Sequence, residues 1–188
     1  SLGLVGSEMC IRDSSRSIAF YLPQFHRITE NSEWWGEGFT EWNNAVRGRP
    51  NYENHYQPHI PRELGFYDLS NISIMNEQAE MAKLFGISGF CFHYYWFSGK
   101  RILEKPIDNF LESKIDIDFC LCWANENWTR RWDGEDHKVL LKQSYEEDDP
   151  EKFIKSLLPF FNDKRYIRLN GKPIICLLYT SDAADDRL

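Results

Sequence analysis

The fold of this chain is decided by one stretch in which an apolar run gives way to polar residues: Phe119-Cys120-Leu121-Cys122-Trp123-Ala124-Asn125-Glu126-Asn127-Trp128. The apolar run at its start is typical of a buried strand. The carboxylate that follows, Glu126, stands between two amides and close to tryptophans. Sugar rings pack their C–H faces on indole, while their hydroxyls bind carboxylates and amides. The stretch therefore predicts a carbohydrate site at the end of a strand.

Strand-like and helix-like segments alternate on both sides of this stretch. The predicted strands are 17–22, 89–96, 119–123 and a fourth from Ile174, and the predicted helices are about 72–85, 106–113 and a third from Asp149. This alternation predicts a parallel sheet covered by helices.

Several residues predict where these elements begin and end. Ser70 is a candidate N-cap and Gly86 a stop for the first helix. Pro159 is predicted to end the third helix, with Ile154 and Leu158 among its core-facing residues. The dipeptide Asn170-Gly171 predicts a tight hairpin before the fourth strand.

Polar and aromatic residues follow each of the first three strands. Gln24 and His26 come after the first, 93–96 end the second, and 125–131 follow the third. A (β/α) barrel builds its active site from all the loops at this face, whereas a doubly wound sheet uses one switch point. We therefore predict an α/β fold, the N-terminal half of a (β/α)8 TIM-type barrel, truncated after about four strands because a complete barrel takes about 250 residues.

The two ends lack the aromatic richness and patterning of the middle. Residues 1–15 and 176–188 resemble peptides translated from sequencing-adapter read-through. A signal peptide does not account for the first, because 2–5 is too short for an apolar core and Arg12 and Asp13 lie on the wrong side. We expect both ends to be non-native, flanking a partial barrel domain at 16–175.

Composition excludes several function classes. The net charge is −7 with no basic block, which argues against a nucleic-acid partner, and no stretch reaches the length of a membrane span. Cys91, Cys120 and Cys122 lie in apolar runs, so we expect reduced thiols, a cytoplasmic protein and no metal or other cofactor. The oligomeric state is left open.

Glu126 is the leading catalytic candidate, as an acid/base. Cleavage of a glycosidic bond uses two carboxyl groups, and burial beside indole rings favours the protonated form that an acid needs. Glu41 and Asp133 are candidates for the second carboxyl. The alternative is a structural ion pair of Glu126 with Arg130 or Arg131.

The predicted substrate-binding residues share aromatic or hydrogen-bonding side chains near the predicted strand ends. They are His26, Trp35, Trp42, His93, Tyr95, Trp96, Trp123, Asn125, Asn127, Trp128 and Arg130. The tryptophans of 34–42 are either stacking platforms for sugar or a small core of their own loop, and the sequence leaves both open.

Two other function classes compete with a glycosidase. Asp116-Ile117-Asp118 has the Asp-x-Asp form that many metal-dependent glycosyltransferases use, but it precedes its strand, so we interpret both aspartates as turn residues. A non-catalytic glycan-binding module would need the tryptophans and no second carboxylate.

Several motifs occur in order: Tyr21-Leu22-Pro23-Gln24-Phe25-His26, Trp34-Trp35-Gly36-x-Gly38-Phe39-Thr40-Glu41-Trp42, His55-Tyr56-Gln57-Pro58, Leu64-Gly65-Phe66-Tyr67-Asp68 and Cys122-Trp123-Ala124-Asn125-Glu126-Asn127-Trp128. Over about 16–175 the chain closely resembles the WbsX-type proteins, described as glycosyltransferases of lipopolysaccharide and O-antigen gene clusters. That group is similar to glycoside hydrolase family 99, a barrel family acting on α-mannosides.

The resemblance implies a barrel and an enzyme that makes or breaks glycosidic bonds of cell-surface polysaccharide. Family 99 relies on two glutamates close together in sequence. The chain departs from that pattern, since no carboxylate near Glu126 matches such a pair, and the partner is Asp133, Glu41 or a residue outside this chain.

Overall fold

The structure is a computed structural model that describes residues 16–130 and 135–178, with side chains described for 16–129 and 139–178. Its helices are α1 (Thr29–Trp35), α2 (Glu41–Ala45), α3 (Ile72–Leu84), α4 (Lys105–Glu112) and α5 (Asp149–Phe161). Its strands are β1 (Ile18–Tyr21), β2 (Gly89–Phe97), β3 (Lys100–Ile102), β4 (Asp118–Trp123), β5 (Trp128–Arg130), β6 (Glu135–Leu141), β7 (Arg168–Leu169), β8 (Lys172–Pro173) and β9 (Ile175–Leu177).

A parallel sheet in the order β1-β2-β4-β9 forms the centre of the molecule. In its register Phe20 lies beside Cys91, and Cys91 beside Cys120. Short β3 pairs antiparallel with the end of β2. The chain is thus a mixed α/β protein with a parallel sheet, as predicted, while closure into a barrel stays a prediction.

One face of the sheet is buried under α3, α4 and α5. Successive strand residues point to opposite faces, so Phe92 and Leu121, which are neighbours in the register, share the helix-covered face. They join Met75, Phe110 and Leu157 in one core, each with at most 1% of its surface exposed.

The opposite face is covered less completely, above all at β1. Phe20 is 63% exposed, and its ring meets that of His93 edge-on at 5.8 Å between centroids. Cys91, Cys120 and Cys122 are buried free thiols. This face leads at its carboxyl end into the cavity described below.

The predicted strands and helices are present, with corrections at their ends. Helix α3 is capped by Asn71, not Ser70, because the Asn71 side chain accepts the Ser73 N–H at 3.1 Å. Helix α5 continues through Pro159 to Phe161, since burial of Phe160 holds its last turn against the core.

The prediction of which α5 residues face the core was wrong in part. Ile154 is 51% and Leu158 47% exposed, while Phe153, Leu157 and Phe160 are buried. The buried positions follow spacings of four and three, which is the stripe that one side of a helix presents to a core.

Some elements were not predicted. Helices α1 and α2 lie between the first predicted strand and the first predicted helix, where the sequence predicted no element, and α2 begins with a capping box between Thr40 and Asn43. Strands β5 and β6 form an antiparallel hairpin after β4. The hairpin at Asn170-Gly171 is confirmed, with φ of 51° and 77° as a type I′ turn needs.

Within residues 16–130 and 135–178, no helix has the length and apolar character needed to cross a bilayer.

Candidate functional site

A cavity of about 550 Å³ opens at the carboxyl ends of the parallel strands. Gln24 follows β1, His93 and Tyr95 belong to β2, and Glu126 follows β4. The first two helices and the β5–β6 hairpin close its sides. The loops after three neighbouring strands therefore meet in one place, as expected for parallel strands.

Two glutamates, Glu41 and Glu126, line this cavity. Burial raises the pKa of Glu41 to about 7, because its charged form has lost solvation with no opposite charge to replace it. Glu41 is 85 positions away from Glu126 in the sequence, and α2 brings it to the cavity. The cavity therefore holds two carboxyl groups, one of which keeps its proton near neutral pH.

Tyr95 lies near both of these carboxyl groups. Its hydroxyl donates to Gln24 Oε1 at 2.9 Å. Burial raises the pKa of Tyr95, and the negative charges of Glu41 and Glu126 raise it further. Tyr95 is thus a neutral hydroxyl near both carboxyl groups, held in place by its hydrogen bond to Gln24.

Two indole rings, Trp35 and Trp128, also line the cavity. Trp128 is held by edge-on contacts with Tyr95 at 5.2 Å and with Phe97 at 5.9 Å between ring centroids. Trp35 packs against Phe39 at 5.9 Å. Rings held in this way offer flat apolar surfaces at little cost in conformational entropy.

His93 completes the polar lining on the strand side. Burial lowers its pKa, so the ring is neutral at physiological pH and offers one donor and one acceptor.

The sequence profile of the family described as "Glycosyltransferase WbsX" matches residues 17–187. The chain belongs to the WbsX glycosyltransferase family. The matched residues include 176–187, and β9 spans Ile175–Leu177; the domain boundary expected at 175 stays a prediction.

Curated relatives of this WbsX-family chain come from Xanthomonas campestris pv. campestris. The "Uncharacterized protein WxcX" of strain B100 is 48% identical over 159 residues, which is 84% of this chain and 23% of that protein. The protein of the same name from strain ATCC 33913 matches equally. The chain thus spans about a quarter of the length of these relatives.

Solved structures similar to this chain are GH99 endo-alpha-mannosidases from Bacteroides thetaiotaomicron. One, in complex with BIS-TRIS-propane, has a TM-score of 0.49 at 15% identity and covers 88% of this chain and 42% of that chain. The other has a TM-score of 0.46 at 13% identity and covers 86% and 44%.

Half of the residues predicted for the site come together in the cavity of this WbsX-family chain. They are Glu41, Glu126, Trp35, His93, Tyr95, Asn127 and Trp128. Asn127 also accepts the Gln143 N–H through its side-chain oxygen at 2.6 Å, which ties the loop after β4 to the segment after β6.

Trp96 and Trp123 lie elsewhere, on the helix-covered side. The Trp96 indole donates to buried Asp149 Oδ1 at 3.0 Å, and the Trp123 ring packs on Phe153 at 4.5 Å. Strand alternation puts them opposite their neighbours Tyr95 and Ala124, which line the cavity. Both residues pack in the core beneath the site and do not line the cavity.

His26 and Trp42 also lie outside the cavity lining. His26 is 2% exposed, its Nδ1–H donates to the Pro23 carbonyl at 2.8 Å, and burial lowers its pKa. Trp42 donates to the Tyr67 carbonyl at 2.8 Å and packs on Phe25 at 4.6 Å. The two tryptophans therefore have different roles: Trp35 lines the cavity, and Trp42 packs in a small core outside it.

Three predicted residues remain. Asn125 is partly exposed, has an interaction partner and does not line the cavity. The backbone of Arg130 ends β5, but its side chain lies outside the described part of the chain, and so does Asp133.

Sequence reasoning did not assign Gln24 or Asn31 to the site, although both line the cavity. The sequence placed Gln24 directly beyond the first strand, at the predicted active-site face, but Gln24 was not included among the predicted binding residues. Asn31 lies on α1, a helix that the sequence did not predict, and carried no such signal. Asp116 and Asp118 lie at the opposite, amino end of β4, ion-paired with Lys83 and Arg16.

Proposed function

We propose that this chain forms part of the active site of an enzyme that makes or breaks glycosidic bonds of cell-surface polysaccharide. The observation that carries the proposal is the shared cavity, in which Glu41 and Glu126 stand with Trp35 and Trp128. Membership of the WbsX family supports a carbohydrate-active enzyme.

In the proposed mechanism Glu41 protonates the oxygen of the leaving sugar. A general acid must hold its proton at working pH and release it in the transition state, and a pKa of about 7 suits that role. Glu126, the second carboxyl, acts as the base or nucleophile on the other side of the bond. The sequence alone favours Glu126 as the acid/base, whereas the raised pKa of Glu41 favours Glu41 as the acid and leaves the role of base or nucleophile to Glu126.

The remaining lining residues bind the sugar. Its C–H faces stack on the indoles of Trp35 and Trp128, and its hydroxyls bind the amides of Gln24 and Asn127 and the neutral ring of His93.

Glycosyl transfer from an activated sugar donor is the second candidate, favoured by the description of the family as glycosyltransferases. The same two carboxyls would then serve an acceptor hydroxyl and the departing group. A third candidate is a glycan-binding module without catalysis.

Glutamine substitutions test the two carboxyls. We expect Glu41→Gln and Glu126→Gln each to lower kcat by a factor of at least about 100, because general acid–base catalysis contributes about that much, while sugar binding survives. Chromatography of fluorescently labelled oligosaccharides measures turnover. Both this chain and a longer reading frame that contains it are assayed, because the relatives are far longer.

Glu53→Gln is the matched control, because Glu53 is an exposed glutamate outside the cavity. Unchanged turnover in Glu126→Gln would remove Glu126 from the mechanism. Sugar binding without turnover in any form would favour the binding module. Products that appear only when a nucleotide sugar is added would identify transfer, and products in water alone would identify hydrolysis.

A further inference from the structure

Asn31 places a side-chain amide in the wall of the cavity. It lies on α1, is 3% exposed and lines the cavity. Among the described residues none forms a hydrogen bond with its side chain. By contrast, the neighbouring amide of Gln24 is engaged, since its oxygen accepts the Tyr95 hydroxyl.

Water in the cavity solvates the Asn31 amide in the free protein, since neither of its polar atoms is among the fully buried unpaired atoms of the described residues. A ligand that fills the cavity displaces that water. It must then supply hydrogen bonds in place of the water, because a buried amide without a partner is unfavourable.

We propose that Asn31 determines specificity by binding one free hydroxyl group of the sugar. This deepens the proposed function and rests on it. A carboxamide has an acceptor oxygen and two donor N–H groups, so it can accept from a hydroxyl and donate to the same or an adjacent oxygen.

The substrate class follows from that pairing. A sugar bearing an unsubstituted hydroxyl at this point satisfies the amide. A sugar that is deoxygenated at this position leaves the amide without a partner. An O-methyl or O-acetyl group at the same position collides with the amide. Sites built to hydrogen-bond a hydroxyl reject analogues that lack it far more strongly than apolar pockets do.

Thermal unfolding of the free chain is the first test. Asn31→Leu has nearly the same shape without donors or acceptors, so we expect its unfolding midpoint to equal or exceed that of the wild type. Asn43→Leu is the comparison, because the Asn43 side chain accepts the Thr40 N–H at 2.9 Å and its loss should lower the midpoint. A lower midpoint in Asn31→Leu would show a structural role and overturn the inference.

Binding of defined sugars is the second test. The probes are the methyl glycosides of glucose, galactose and mannose with their monodeoxy analogues, titrated by NMR chemical shift. We expect the wild type to bind a parent sugar at least about tenfold more tightly than one of its deoxy analogues, a factor that a single hydrogen bond supplies.

In Asn31→Leu that one discrimination should disappear while discrimination at the other hydroxyls remains. Asn31→Asp, which keeps an acceptor, should retain part of it. If the variant keeps the full wild-type pattern, the assignment of Asn31 is wrong although sugar binding stands. If none of the sugars binds the wild type, the proposed function fails, and the hydroxyl assignment fails with it.

Discussion

At the residue scale, burial decides the protonation state of Glu41. Glu41 has lost solvation without gaining a partner, so the fold favours its neutral form. That preference gives a proton donor near neutral pH, and it also has a cost. Once ionised, a carboxylate whose pKa is raised from 4.5 to about 7 destabilises the fold by up to about 3 kcal/mol.

The sign of this effect predicts a pH dependence. Below pH 4.5 Glu41 is protonated in both states, and between 4.5 and about 7 the folded state alone keeps the proton, so its contribution to stability falls as pH rises. We expect Glu41→Gln to be more stable than the wild type at pH 8 and nearly equal at pH 4, measured by urea unfolding.

The comparison with the variant isolates Glu41 from other titrating groups. The lowered pKa values of His26 and His93 make stability rise with pH, but they act equally in both proteins. Glu53→Gln should follow the wild-type curve. A constant difference between Glu41→Gln and the wild type at all pH values would contradict the raised pKa.

At the element scale, short local motifs fix where the covering helices begin. The amino end of α3 depends on Asn71, whose side chain accepts the N–H and the hydroxyl of Ser73. Helix α3 carries Met75 and Ala79 into the core behind β1 and β2. The cap therefore sets the position at which the buried stripe of this helix starts.

Removing that cap should weaken the helix. We expect Asn71→Ala to lower the free energy of unfolding by about 1 kcal/mol, the usual cost of losing an N-cap, and Asn71→Asp to retain most of it. Asn76→Ala, at an exposed position within the same helix, should be neutral or slightly stabilising. Equal losses at positions 71 and 76, measured by denaturant unfolding, would argue against the cap.

At the scale of the whole molecule, the sheet has one well-covered face and an incomplete one. Within the described part of the chain, β1 and β9 are the outer strands of the parallel sheet. Ile18, Phe20 and Leu22 are 40%, 63% and 41% exposed at the β1 edge. An exposed edge with apolar side chains is a surface on which another strand can pair.

We therefore expect the isolated 188-residue chain to self-associate through β1. Phe20→Lys should shift it toward monomer, because a charged side chain on an edge strand disfavours pairing. Sedimentation velocity over a range of concentrations measures the effect. Leu169→Lys, at a 66% exposed residue of the β7–β8 hairpin, should leave association unchanged. A wild-type chain that is monomeric throughout would contradict the prediction.

The sequence by itself determined the elements of the sheet. Short apolar runs bounded by polar residues, such as 119–123, are typical of buried strands, and Asn170-Gly171 is a strong local signal for a tight hairpin turn. The strand-end position of Glu126 follows from the same local pattern. Local patterns could not show that Trp96 and Trp123 face the helices, because an aromatic residue is compatible with either face of a strand.

The tertiary structure decided which residues meet. The shared cavity of Glu41 and Glu126, the raised pKa of Glu41 and the position of the Asn31 amide in the cavity wall all depend on how α1 and α2 lie against the strand ends. Solvation and hydrogen bonding are set by the neighbours that a side chain acquires in space. Sequence spacing determines local geometry, whereas long-range packing determines burial, and the chemistry of this cavity depends on burial.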